Sequence, residues 1–224
     1  MEAVPIFIDI LFIFLVTIVL IQFYRATKSK LLIGTVLLIA LVQSLLSING
    51  FFMKSDTLPP RTLLIFLPGI VAIVTFFSTK RGKEETKKID LEQYTYLFSF
   101  RFFVELFIFA LFFYGTMPES MTYEGRNFDI LAGLTAPFIA YYGLRKRRIH
   151  KKHIVLWNVI ALLLVIQVAT TGILSAPSTI QQISFDQPNI AALNFPYILL
   201  PGILVPIVVF GHLLAIKKLR RENR

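Results

Sequence analysis

Seven long apolar runs constrain this chain more than any other feature of its sequence. They cover residues 4–24, 31–49, 62–78, 97–115, 127–144, 154–175 and 196–216. Each is close to the roughly 20 residues that an α-helix needs to cross the hydrocarbon core of a bilayer. The runs are continuous and lack the alternation of apolar and polar residues typical of a membrane barrel. We therefore expect an all-α integral membrane protein with seven transmembrane helices.

The positions of the basic residues predict how these helices are oriented. Cytoplasmic connections of membrane proteins carry an excess of Lys and Arg. Here 19 of the 23 Lys and Arg residues fall in four segments on one predicted side, namely 25–30, 80–92, 145–152 and 217–224. We expect this side to be cytoplasmic, with the N-terminus outside and the C-terminus inside. Topology also explains the net charge of +10, so we expect the lipid bilayer as a partner and no nucleic acid.

The first run is predicted to remain in the mature protein, because Met1–Pro5 lack the basic region and cleavage site of a secretory signal. Residues 1–224 are then one polytopic membrane domain, which we expect in the cytoplasmic membrane of a bacterium. The chain has no cysteine, and this excludes disulfides and thiolate metal sites. Its oligomeric state cannot be derived from the sequence.

Three short matches in the same order indicate an internal duplication. Asp9-Ile10-Leu11 matches Asp129-Ile130-Leu131, Gln43 matches Gln167, and Leu67-Pro68-Gly69-Ile70 matches Leu200-Pro201-Gly202-Ile203. They predict two parallel repeats, 4–78 and 127–216, joined by helix 97–115. Chance similarity between apolar segments is the alternative, because such segments use few residue types.

This 3+1+3 topology with an external N-terminus resembles that of the SWEET and PQ-loop proteins, which transport sugars. The resemblance implies a transporter with its site between the repeats. Neither first helix of a repeat carries a Pro-Gln pair, so the likeness is one of topology and no functional residue is transferred from it.

Four polar residues are the first candidates for a binding site. Asp9, Gln43, Asp129 and Gln167 are expected in the outer halves of their helices, where they would line a pocket open to the outside. Alternatively, the two carboxylates only cap helix starts. Arg126 either pairs with a nearby carboxylate or presents a cation to an anionic ligand.

Helix 97–115 supplies a second candidate, because Arg101 and Glu105 share one helix face. Their alternatives are a self-neutralising ion pair and a site for a solute or coupling ion, and Arg101 is near enough to the predicted helix end to reach the cytoplasm. Pro68 and Pro201 each remove a backbone hydrogen bond inside a helix, which either serves packing or exposes carbonyls to a ligand.

Enzymatic chemistry finds little support in the sequence. Residues 196–216 contain no lysine for a retinal Schiff base, and His212 is the one histidine within a run, where we interpret it as interfacial. We expect no cofactor and no metal. The favoured function is transport of a small polar solute; a receptor or accessory subunit that binds a lipid, a small molecule or a partner helix is the alternative, followed by an enzyme acting on lipids or isoprenoids.

Overall fold

The computed structural model of the protein describes residues 4–221, which form helices, turns and loops without a strand. The prediction of an all-α chain is confirmed for these residues. Their α-helices are α1 (Ile6–Thr27), α2 (Lys30–Ile48), α3 (Arg61–Ser78), α4 (Lys80–Lys88), α5 (Leu91–Leu97), α6 (Phe100–Phe113), α7 (Asp129–Phe138), α8 (Lys151–Ser175) and α9 (Val205–Arg221).

Six helical segments within residues 4–221 are long and apolar enough to cross a membrane. They are Ile6–Thr27, Lys30–Ile48, Arg61–Ser78, Leu91–Phe113, Lys151–Ser175 and Leu200–Arg220. These segments correspond to six of the seven predicted runs. The remaining run, 127–144, forms the 10-residue helix α7 followed by a 7-residue π-helix, Ile139–Arg145, so its crossing of the membrane stays a prediction.

Prolines accompany the irregular helical turns. Pro137 lies in the last turn of α7, directly before the π-helix Ile139–Arg145, and Pro201 lies in a second π-helix, Leu200–Leu204, that leads into α9. Proline lacks the N–H that an α-helix requires, and a wider turn accommodates the missing bond. Pro68, in contrast, lies inside the regular helix α3.

The last spanning segment is the most buried of the six. Inside the bundle, 67% of the Leu200–Arg220 window is buried, compared with 11% for α2. Helix α9 packs mainly against α8 and also contacts α3 and α5, while α1 packs against α2, α5 and α6, and α6 packs against α7. Helices α3, α5 and α8 therefore pack around α9, whose His212 lies in the interior.

Hydrogen bonds gather the basic segments at one end of the bundle, which we call the basic end. The Asp90 N–H donates to the Ala26 carbonyl over 2.9 Å, and Lys218 Nζ donates to the Ile89 carbonyl over 2.7 Å. Helix α5 also packs against the π-helix Ile139–Arg145. Segments far apart in sequence but rich in Lys and Arg therefore lie together.

The opposite end is closed by the connections between helices. The Ile190 N–H donates to the Thr116 carbonyl over 3.1 Å, and Ser47 Oγ donates to the Leu193 carbonyl over 2.9 Å. The loop after α8 therefore packs against the connection that follows α6 and against the end of α2.

A glycine allows the close approach of α6 and α7. A Cβ atom on Gly133 would lie 2.4 Å from the Phe102 backbone nitrogen and 3.2 Å from Arg101 Cβ. The backbone of α6 cannot move aside as a side chain could. Gly133 thus fixes the distance between the two helices at the level of Arg101.

We predict that Gly133→Ala separates α6 from α7 and lowers the free energy of unfolding by about 1–3 kcal/mol, the usual cost of an overpacked contact. Gly34→Ala is the matched control, because nothing lies within 4 Å of a Cβ at this helical position. The measurement is thermal unfolding of the purified protein in detergent. Equal stability of the two variants would contradict the role given to Gly133.

Candidate functional site

A buried ion pair links α6 to α7. Arg101 Nε donates to Asp129 Oδ2 over 2.7 Å, and Arg101 Nη2 donates to Asp129 Oδ1. Arg101 is 2% exposed and Asp129 is 6% exposed. The two parallel bonds match the planar fork of a guanidinium to a carboxylate, which is the strongest geometry for such a pair. Arg101 also donates to the Ala161 carbonyl on α8 over 3.1 Å.

His212 extends this contact into the centre of the bundle. Its Nε2 lies 2.9 Å from Arg101 Nη1, and its Nδ1 lies 2.8 Å from Asn158 Oδ1. Guanidinium nitrogens only donate, so Nε2 must accept and the ring proton must be on Nδ1, from which it is donated to Asn158. His212 is therefore a neutral imidazole that joins α6, α8 and α9.

Aromatic side chains enclose the imidazole on the side away from the ion pair. The Phe98 ring stacks on His212 with a centroid distance of 4.1 Å, and Trp157 meets it edge-on at 5.6 Å. Trp157 Nε1 is itself satisfied by Thr135 Oγ1 at 2.9 Å. This packing holds the ring in one orientation and separates it from water.

Glu105 lies one turn beyond Arg101 on α6 and is 1% exposed. Its Oε2 accepts a hydrogen bond of 2.6 Å from Asn127 Nδ2. The same Asn127 accepts the backbone N–H of Asp129 at 2.9 Å through Oδ1. Asn127 therefore connects the Glu105 carboxyl group to the backbone of Asp129 and satisfies a free N–H in the first turn of α7.

The ion pair differs from the one that the sequence suggested. Arg101 bonds to Asp129 and not to Glu105, because Asp129 presents both oxygens from a neighbouring helix whereas Arg before Glu is the weaker order within one helix. Arg101 is also not near a helix end, as the sequence suggested: its segment begins at Leu91, not at residue 97, so Arg101 falls near the middle of the Leu91–Phe113 segment.

A cavity begins at these charged groups. It offers about 60 Å³ to the centres of water-sized molecules, which is room for a few waters or one small solute. Arg101, Glu105 and Asp129 contribute to its wall, and most of the remaining wall is apolar. Met121, Asn189 and Ala192 line it from the connections at the end opposite the basic end. Thr62 also lines the cavity, and its buried Oγ1 has no hydrogen-bond partner among the described residues.

The structure places the other predicted site residues apart from this cluster. Asp9 lies near Tyr197, but Asp9 Oδ1 and the Tyr197 hydroxyl have no hydrogen-bond partner among the described residues. Gln43 Nε2 donates to the Ile65 carbonyl over 2.6 Å. Gln167 Nε2 donates to Thr171 within its own helix over 3.2 Å. Within residues 4–221 no hydrogen bond joins any two of Asp9, Gln43, Asp129 and Gln167, so these four do not form one hydrogen-bonded cluster.

Arg126 and the two prolines also have defined positions. Arg126 is exposed in the connection before α7, and the cation that pairs with Asp129 is Arg101. Pro201 lines the cavity from the π-helix Leu200–Leu204. Pro68 follows the α3 residues Thr62, Ile65 and Phe66 that line the same cavity.

Sequence reasoning missed Asn127 and Asn158 and misplaced His212, which is fully buried and not interfacial. A signal for Asn158 was present, because it is an isolated amide within an apolar run. His212 and Leu204, eight residues apart, are both buried, but the burial of His212 depends on α9 lying at the centre of the bundle. Residue spacing contains no information about which helix is central.

Chemically, the cluster offers a fixed positive charge, its counterion, a neutral imidazole and a second carboxyl group at the wall of a small cavity. It can bind water, a proton or a small polar molecule. No group of three or more His, Cys, Asp and Glu side chains suited to a metal ion occurs within residues 4–221.

Comparison with known proteins gives one match. The model of a family described as a domain of unknown function (DUF8737) matches residues 58–220, which include every member of the cluster. No curated protein and no solved structure matches the chain. The resemblance to SWEET and PQ-loop proteins therefore stays one of topology.

We predict that Asp129→Asn destabilises the protein strongly, because it leaves the Arg101 cation buried without a counterion. Removing one member of a buried pair typically costs about 3–5 kcal/mol. The double variant Arg101→Gln with Asp129→Asn should be more stable than Asp129→Asn alone, since both charges are then gone. The free energy of unfolding in detergent is measured for the parent protein, Asp129→Asn and the double variant. An Asp129→Asn protein as stable as the parent would refute the buried ion pair.

Proposed function

This chain belongs to the family defined by the domain of unknown function DUF8737, and we propose that it binds a small polar solute inside a seven-helix bundle and transports it across the membrane. The observation that carries this proposal is the convergence of Arg101, Glu105, Asp129 and His212 beside a cavity. Charged groups within a membrane are costly, and they usually mark the path of a substrate or ion.

The position of the cavity supports a site that is reached from outside. Its charged wall is near the middle of the Leu91–Phe113 segment, and its other wall is formed by the connections at the end opposite the basic end. By the positive-inside rule that end is external. A solute would enter between these connections and meet Glu105 and Asp129 at the bottom.

The gathering of Lys and Arg at the basic end supports the proposed orientation, with the C-terminus in the cytoplasm. Seven crossings are needed for the N-terminus to lie outside, and α7 with the π-helix Ile139–Arg145 supplies the seventh. This segment is short, and Asp129 at its start is held deep in the bundle by Arg101. The cytoplasmic membrane of a bacterium remains our predicted location.

The glycines of the two matched Leu-Pro-Gly-Ile motifs occupy similarly tight environments, and this likeness supports an internal repeat. A Cβ on Gly69 would lie 2.5 Å from Pro206 Cγ, and a Cβ on Gly202 would lie 1.6 Å from Gln43 Oε1, so both glycines occupy tight interfaces. The matched pairs Asp9/Asp129 and Gln43/Gln167 have different partners. The two repeats have therefore diverged, because Asp129 joins the charged site with Arg101 and Glu105 of the connecting helix, whereas its match Asp9 does not.

A groove between α1 and α6 favours a second function, the binding of a lipid tail by a receptor or accessory subunit. The groove offers about 900 Å³ and extends from Phe7 and Phe113 to Gln22 and Tyr96. Its lining is almost entirely apolar and rich in phenylalanine, as an acyl or isoprenoid chain requires. This function would use the lipid-facing surface and not the charged cluster.

We predict that Glu105→Gln abolishes solute uptake by proteoliposomes while the protein still folds, because glutamine retains an oxygen that accepts the Asn127 hydrogen bond. Glu124→Gln is the matched control, since Glu124 is exposed on the connection before α7. Uptake of labelled small solutes is the measurement. Uptake by Glu105→Gln at the rate of the control would remove the charged cluster from the transport path.

We predict that a cysteine at Thr179 reacts with an impermeant thiol reagent in intact cells, whereas a cysteine at Lys83 reacts only after the cells are opened. Both positions are exposed, on opposite ends of the bundle, and the chain has no cysteine of its own. The reverse pattern of labelling would invert the proposed orientation.

A further inference from the structure

The charges around the cavity do not cancel if every acidic group is ionised. Arg101 is the cation of the cluster, and both of its forked contacts are made to Asp129. Its remaining hydrogen bonds go to the Ala161 carbonyl and to the neutral His212. Four of the five guanidinium N–H groups are therefore used without reaching Glu105.

Glu105 has no counterion within residues 4–221. Its recorded partner is the uncharged amide of Asn127. The other groups facing it are Asp129 on α7 and Arg101 on its own helix, with His212 behind Arg101 on α9. The acidic residue of α1, Asp9, lies instead near Tyr197.

A net negative charge at this position would be costly, because Glu105 is buried and the cavity wall is mostly apolar. The cluster is neutral when the Glu105 carboxyl holds its proton. It is also neutral when that carboxyl is ionised and a cation occupies the cavity. These two states differ in which positive species is bound.

A second polar group without a partner in the described part of the chain lines the same cavity. Thr62, on α3, is 3% exposed, lines the cavity and has an Oγ1 without a hydrogen-bond partner among the described residues. Buried hydroxyl groups are rarely left unsatisfied. A hydroxyl oxygen and a carboxylate are both suitable ligands for a small hard cation or hydrogen-bond acceptors for an ammonium group.

We propose that Glu105 is an exchange site at which a proton and a small monovalent cation replace one another. On entry of the cation, the O–H bond of the Glu105 carboxyl breaks, the proton leaves to water, and the carboxylate pairs with the cation. The total charge of the site is unchanged. This inference rests on the proposed transport function, for which it supplies the class of solute or coupling ion.

The size of the cavity limits the cation. About 60 Å³ for water-sized centres is enough for an alkali-metal ion with some of its water, or for methylammonium, whereas choline is a much bulkier cation. Choline chloride is therefore a control of equal ionic strength. The proton and the cation compete, so the apparent Kd of the cation should rise by about tenfold for each unit of pH below the titration of the site.

The test is proton release by the purified protein in weakly buffered detergent solution, followed with a pH indicator. Chlorides of sodium, potassium and methylammonium are the probes, and these arms separate inorganic from organic cations. We expect about one proton per chain with at least one probe and none with choline. Glu124→Gln should release the same amount as the parent protein, and Glu105→Gln should release none.

Infrared difference spectroscopy of the unmodified protein gives a readout that needs no variant. Binding of the cation should remove the C=O stretching band of a protonated carboxyl group. No release with any probe, or release that persists in Glu105→Gln, would overturn the exchange site.

Transport is measured separately, as uptake of the same cation by proteoliposomes. Proton release without transport of any solute would leave the exchange site intact and refute the transport function. Cation uptake without proton release would support the transport function and overturn the exchange site.

Discussion

The buried ion pair between Arg101 and Asp129 is the interaction on which the centre of the structure depends. A guanidinium in the middle of a membrane segment is tolerated only with a counterion and with partners for its N–H groups. Asp129, the Ala161 carbonyl and His212 supply them from three other helices. The register of α6, α7, α8 and α9 relative to one another is fixed by this requirement, with Gly133 permitting the approach of α6 and α7.

The same ion pair determines which charged group remains available to bind a ligand. Because Asp129 neutralises Arg101, the second carboxyl, Glu105, is left without a cation in the described part of the chain. Asn127 bonds to the Glu105 carboxyl and to the Asp129 backbone N–H at the start of α7, so one amide positions both residues. A site with a fixed ion pair and one exchangeable group can change its occupant without a change in total charge, which suits transport through a low-dielectric interior.

Sequence reasoning identified Arg101, Glu105 and Asp129 as candidates because ionisable residues inside apolar runs are costly. It did not find their pairing. Counting residues from the run boundaries placed Asp129 near the outer surface and Arg101 near the cytoplasm, whereas both lie at one level. The counting was misleading because the helix of Arg101 begins at Leu91 and the helix of Asp129 begins inside the bundle. Asp9 and Gln43, chosen by the same criterion, lie apart from the cluster, with Asp9 near Tyr197 and Gln43 bonded to the Ile65 carbonyl.

The sequence by itself determined the class of the protein. Long apolar runs make helices that satisfy their own backbone groups, and the distribution of Lys and Arg predicts a common end that the contacts of Ala26, Ile89 and Lys218 bring together. Only the tertiary structure decided that α9 is central and that His212 and Asn158 meet Arg101 there. In a bilayer every helix is apolar on all faces, so hydrophobic periodicity cannot distinguish an interior helix from a peripheral one. That distinction arises from packing and from the few polar groups that must find partners.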